Sequence, residues 1–139
     1  MSVLQVTNVR SNSTSFNTPV VFQTSGGTEN GTLCRAWVNF NGTGTVAIRA
    51  DFNVNSITDN TTGDYTVNFS NALADANYSP IVITSPSTAS TARLFSMVFT
   101  NSSGTSSVTP SSSSFRWSTF NNVTSANYDP DYACVAVFR

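Results

Sequence analysis

Histidine and lysine are both missing from this 139-residue chain, and charged residues of any kind make up only 9% of it. The lack of both removes the usual general bases, together with the Ser-His and Ser-Lys pairings that activate a hydroxyl nucleophile. The many serines therefore do not add up to a serine hydrolase. Scarce charge also thins out electrostatic recognition. The six cations, Arg10, Arg35, Arg49, Arg93, Arg116 and Arg139, stand singly along the sequence, and the formal net charge is −1. Nucleic-acid binding draws much of its affinity from released counter-ions, so a chain with no basic cluster is not expected to take nucleic acid as a partner. Long apolar runs are missing too: none approaches the roughly 18 residues that span a bilayer. The opening Met1-Ser2-Val3-Leu4-Gln5 shows no charged leader ahead of an apolar stretch. Neither membrane insertion nor export by a signal peptide is expected.

Cysteine is limited to Cys34 and Cys134. Two cysteines without histidine do not make a zinc site, and no cofactor is expected. A disulfide between them would close a loop of roughly a hundred residues and contribute about 4 kcal/mol in the chain-entropy picture. Against that, Cys34 alternates with Ala36 and Val38, and Cys134 with Ala136 and Phe138, so both read as small core side chains. Thiols made in a reducing cytoplasm stay free. The sequence leaves the bond open.

What is abundant is small and polar. Ser, Thr and Asn supply 58 of the 139 residues, and Val outnumbers Leu by 15 to 4. Hydroxyl and amide side chains compete with helical backbone bonding, while β-branched and aromatic ones pack on a pleated surface. The composition predicts an all-β chain with under about a tenth of its residues in helix. Asn-x-Ser/Thr triplets, as at Asn12, Asn30, Asn41, Asn60 and Asn101, arise by chance in such a composition and carry no weight.

Alternation locates the strands. Cys34, Ala36, Val38 and Phe40 share one face and Arg35, Trp37 and Asn39 the other. The turn formers Asn41-Gly42-Thr43-Gly44 then lead to Thr45 to Arg49, which predicts a hairpin. A second hairpin is predicted where Asp59-Asn60-Thr61-Thr62-Gly63 separates Phe52 to Thr58 from Tyr65, Val67 and Phe69. Further strands fit Val20 to Thr24, Pro80 to Thr84, Arg93 to Thr100, Phe115 to Phe120 and Ala133 to Phe138. Roughly eight short strands in one domain-sized chain predict a single antiparallel β-sandwich. Residues 32–139 would form it, and residues 1–31, less regular, would be an N-terminal arm or a pair of edge strands. Ser85 to Thr91 and Asn101 to Ser114 read as exposed loops. The pentapeptides Ala76-Asn77-Tyr78-Ser79-Pro80 and Ala126-Asn127-Tyr128-Asp129-Pro130 look like one turn design used twice.

Candidate chemistry is sparse. The carboxylate pairs Asp59 with Asp64, and Asp129 with Asp131, sit among turn residues, where aspartate caps backbone more often than it cleaves glycosides. Two carboxylates around Pro130 fall short of a calcium loop. Neither catalysis nor a metal site is expected. Aromatic side chains next to short polar ones remain as a binding resource. Tyr128, Asp129, Asp131 and Tyr132, with Arg116 and Trp117, combine rings with groups that orient hydroxyls, and are the candidate receptor-binding residues. Phe115 and Trp117 also fit the core face of a strand.

The stretch Leu33-Cys34-Arg35-Ala36-Trp37-Val38-Asn39-Phe40-Asn41-Gly42-Thr43-Gly44-Thr45-Val46-Ala47-Ile48-Arg49, continued by Ser56-Ile57-Thr58-Asp59-Asn60 and Gly63-Asp64-Tyr65-Thr66-Val67-Asn68-Phe69, resembles a module of bacteriophage tail-fibre and related virion proteins, notably from phages of aquatic bacteria. Residues 32 to 84 and the closing Cys134-Val135-Ala136-Val137-Phe138-Arg139 carry the likeness. The resemblance implies a non-enzymatic virion structural protein, assembled in the host cytoplasm and placed on the tail or capsid surface. It implies a tail fibre or fibre tip, a homotrimer contacting other virion proteins, that binds a host surface glycan or protein. The alternative is a capsid or tail decoration knob with a mechanical role.

Overall fold

The computed structural model describes residues 20–24, 27–31, 33–86, 94–101 and 107–139. These form strands and turns without any helix. The chain divides into two compact units, Met1–Leu33 and Cys34–Arg139. In the first, β1 (Val20–Thr24) and β2 (Gly27–Gly31) form an antiparallel hairpin, with Val20 opposite Gly31 and Thr24 opposite Gly27.

The second unit is a β-sandwich whose described residues form nine strands: β3 (Cys34–Asn41), β4 (Ala47–Phe52), β5 (Val54–Thr61), β6 (Asp64–Phe69), β7 (Ser79–Ser85), β8 (Leu94–Val98), β9 (Ser114–Asn121), β10 (Ala126–Asn127) and β11 (Tyr132–Phe138). One sheet has the order β4-β3-β11-β7. The other has the order β10-β9-β6-β5, with β8 paired to the opposite edge of β9. Both predicted hairpins are present, as β3–β4 and β5–β6. Their strand boundary differs from the sequence reading. Phe52 ends β4 rather than opening β5, and the chain changes sheets at Asn53, whose φ of 56° lies in the left-handed region that asparagine tolerates.

Period-two alternation dictates the core. Ala36, Val38 and Phe40 of β3 and Ala133, Val135 and Val137 of β11 face Tyr65, Val67 and Phe69 of β6 and Phe115 and Trp117 of β9. The rings gather at two places. Phe40, Tyr65 and Trp117 meet at centroid separations of 5.2 to 6.1 Å. Phe69, Tyr78, Phe99 and Phe115 meet at 5.7 to 6.2 Å. Offset and edge-on rings at these distances add to the burial of their area.

Trp37 lies on the outer face of β3, as alternation requires, and Val38 is buried. The cysteines correct the sequence reading. Both thiols are free; Cys134 is exposed, because the inward residues of β11 are Ala133, Val135 and Val137 rather than the Cys134-Ala136-Phe138 set. A register shift places Cys34 opposite Phe138 while Cys134 lies opposite Asn39, so the two sulfurs belong to distant rungs of one ladder. Of the loops predicted at Ser85 to Thr91 and Asn101 to Ser114, residues 87–91 and 102–106 lie outside the described residues.

Candidate functional site

Where the β3–β4 and β5–β6 turns meet the segment entering β11, two glycines, Gly42 and Gly63, let backbones approach closely. A Cβ on Gly42 would sit 2.6 Å from the Tyr65 hydroxyl and 2.9 Å from Pro130. One on Gly63, where φ is 67°, would sit 2.7 Å from the Thr119 carbonyl. These approaches are fastened by Gly42 N–H donating to the Pro130 carbonyl at 2.9 Å and Thr119 N–H donating to the Gly63 carbonyl at 2.8 Å. Asp129 completes the knot. Its Oδ1 accepts from Gly63 N–H at 2.6 Å and from the Tyr65 hydroxyl at 2.7 Å, with the Gly42 carbonyl 3.1 Å from the same hydroxyl. Burial, then the hydrogen bond to Asp129, pushes the Tyr65 phenol well above its ordinary range.

Pinning Asp129 inward turns its neighbour but one outward. Asp131 Oδ1 lies 3.4 Å from Arg49 of β4, and Arg49 lies 3.4 Å from the Asn39 side-chain oxygen. The Arg49 guanidinium carbon sits 4.1 Å from the centroid of the Tyr132 ring, within cation–π range. A β-bulge places Arg49 there: Asn39 pairs with Ala50 and Phe40 with Ile48, so Arg49 is the extra residue. Tyr132 remains 48% exposed, leaving ring surface for a ligand. Asn41 and Thr43 brace the adjoining turn through the Thr43 hydroxyl and the Asn41 side chain, 2.8 Å apart.

The six sequence-selected residues therefore separate. Asp131 and Tyr132 stay on an accessible rim, and Tyr128 is half-buried beside the knot. Three are held elsewhere. Asp129 is committed to Gly63 and Tyr65. Trp117 is wholly buried in the core and out of reach of any receptor. Arg116 lies on the outer face of the five-stranded sheet, where Nε and an Nη each donate to the buried Asp64 carboxylate at 2.6 Å. The hydrogen bond to that carboxylate raises the guanidinium above its ordinary range. Arg49 and Asn39 were missed. Bulge formation by Arg49 left no mark in the alternation that the sequence displays.

Asp64 is held by Arg116, and Asp129 and Asp131 turn to different partners. No group of three or more His, Cys, Asp or Glu side chains is placed to hold a metal among the described residues. No described helix is long and apolar enough to cross a membrane. Comparison with known protein families, with curated proteins and with solved structures finds no match.

Proposed function

We propose that this chain is a non-enzymatic structural protein of a bacteriophage particle, a tail fibre or fibre tip, that binds a host surface glycan through the rim formed by Arg49, Asp131 and Tyr132. One observation carries the reading: the exposed Tyr132 ring is flanked by a guanidinium and a carboxylate that have only long, solvent-exposed contacts with each other. Such an ion pair is worth about 0 to 1 kcal/mol, so hydroxyls of a sugar compete for both partners at little cost. The ring supplies a stacking surface. The resemblance carried by residues 32 to 84 supports the virion location and the homotrimer.

The test is a glycan array probed with the purified intact chain, followed by adsorption to host cells. Arg49→Ala and Tyr132→Ala should each lower glycan retention at least about tenfold, with melting temperature little changed because both side chains are at the surface. A folded double variant with unaltered adsorption would remove the rim from consideration. Imaging of intact particles would then decide for or against the decoration role.

A further inference from the structure

The Tyr132 rim continues along its sheet. Alternation in β3 turns Arg35, Trp37 and Asn39 outward, away from the buried Ala36, Val38 and Phe40. Tyr132 opens β11 on the same outer face, since Ala133, Val135 and Val137 take the inner one. The register sets Asn39 opposite Cys134 and Trp37 opposite Ala136, so the order along the face is Tyr132, Asn39, Trp37, Arg35. Tyr132 lies four residues before Ala136, and Trp37 is one strand over, which sets the two ring-bearing residues about 14 Å apart. Both rings are accessible, Trp37 at 40% and Tyr132 at 48%. Between them the Asn39 side-chain oxygen accepts from Arg49 at 3.4 Å, which leaves the amide nitrogen to donate to a hydroxyl. Each end of this line carries an arginine brought in by a β-bulge. Arg49, the extra residue of β4, lies over Tyr132. Arg35 is the extra residue of β3, because Ala36 pairs with Val137 and Cys34 with Phe138. Arg35 meets no carboxylate among the described residues, and Arg49 meets Asp131. The line is therefore cationic on a chain whose formal net charge is −1.

We propose that the rim is one end of a platform for a linear acidic glycan of at least about four sugar units, with Trp37 as its second stacking ring and Arg35 as the group that reads its charge. The inference rests on the glycan reading of the rim and extends it. A separation of about 14 Å is roughly three pyranose repeats of an extended chain, so a short sugar reaches one ring and a longer chain reaches both. An open sheet face suits a chain lying across it, whereas a terminal sugar is held in a concave pocket. Ile81 and Ile83 border the line on the β7 side and Phe52 on the β4 side, all three exposed, and their apolar surface suits the C–H faces of sugar rings. Two contacts made by one ligand raise its affinity through effective concentration, without either being strong alone. A guanidinium with no carboxylate partner matches the carboxylate or sulfate of an acidic sugar through its planar fork of donors.

The test titrates the intact chain with linear oligouronates, sulfated oligosaccharides and neutral oligosaccharides, each as a size ladder from disaccharide to octasaccharide. Affinity should climb up to about four units and then level off, on one of the two acidic ladders, and the ladder that binds tells carboxylate from sulfate. Trp37→Ala should lower affinity for the tetrasaccharide and longer chains at least about tenfold and leave the disaccharide as it was. Arg35→Gln should abolish the preference over the neutral ladder, and Tyr132→Ala should weaken chains of every length. Circular dichroism of each variant should be that of the parent. A second readout needs no variant. Of the two tryptophans Trp117 is wholly buried, so quenching of the emission by acrylamide reports Trp37. The octasaccharide should suppress that quenching and the disaccharide should not. Binding lost in Tyr132→Ala but unchanged in Trp37→Ala overturns this inference and leaves the rim reading standing, as does Trp37 still quenched with the long chain bound. A neutral ladder that binds as well as the acidic ones also overturns it. Retention of no glycan at any length overturns the rim reading and this inference together.

Discussion

Thr119 sits on the core face of β9 with no exposed surface, and its hydroxyl finds no hydrogen-bond partner among the described residues. A buried hydroxyl left unpaired costs about 1 to 3 kcal/mol, and valine has nearly the same shape. Thr119→Val should therefore raise the free energy of unfolding by about 1 kcal/mol. A denaturant titration that moved the midpoint downward at constant slope would show that the hydroxyl has a use in the fold. The glycines act in the opposite sense. At Gly63 a methyl group would meet backbone atoms of Thr119 and Tyr128 and would also have to adopt a positive φ. No flexible side-chain end is there to yield.

Elements are joined by residues whose role the alternation hides. Asn53 is the single residue between β4 in one sheet and β5 in the other. Its Nδ2 donates to the Arg35 and Asn71 carbonyls, both at 3.1 Å, and its Oδ1 accepts from Asn71 N–H at 2.8 Å. Asn53→Ala should lose about 2 kcal/mol, from these bonds and from a left-handed backbone that alanine resists. Asn53→Gly should lose about half as much, since glycine relieves the backbone part. Thermal melts of the pair check the ordering, and equal losses would mean that the side-chain bonds alone matter. Strand positions and both hairpins were legible because each buried set obeys a period of two: Ala36, Val38, Phe40 in β3, and Tyr65, Val67, Phe69 in β6. Where alternation is equally regular on both faces it misleads. In β11, Cys134, Ala136 and Phe138 are as apolar as Ala133, Val135 and Val137, and only the partner sheet decides which set turns inward. Strands β2, which reads Gly-Thr-Glu-Asn-Gly, and β10, of two residues, had no apolar pattern to find. The same reason hid the rim: Tyr132 and Asp131 are visible as types, but Arg49 reaches them from 82 positions away only through a bulge.

At the scale of the whole molecule, the fold depends on neutral tyrosines. Burial pushes the Tyr78 phenol up to about 12, and Tyr65 is raised further still. Both phenols are protonated in the folded state at pH values where an unfolded tyrosine, titrating near 10, is already ionising. Their contribution to stability is therefore complete below about pH 10 and is lost as pH climbs through the folded values. With neither histidine nor lysine, the usual contributors to pH dependence near neutrality and at high pH are missing. The melting temperature should fall steeply between about pH 10 and 12, with phenolate absorbance appearing together with unfolding for two of the four tyrosines. Tyr78→Phe should blunt that fall. A melting temperature that held steady to about pH 12 would contradict the assigned burial of both rings.

The first and last strands of the sandwich unit, β3 and β11, are antiparallel neighbours, with Cys34 directly across from Phe138. Both ends of the unit thus leave from one corner. Tension applied between those ends would part the β3–β11 ladder rung by rung, like a zipper, and never load its hydrogen bonds all at once. Antiparallel bonds perpendicular to the strands yield in this geometry at low force. A unit wired this way is mechanically weak when strung in line and well protected when it hangs from a single end, so its strength under load is set by how it is tethered rather than by how firmly its core is packed.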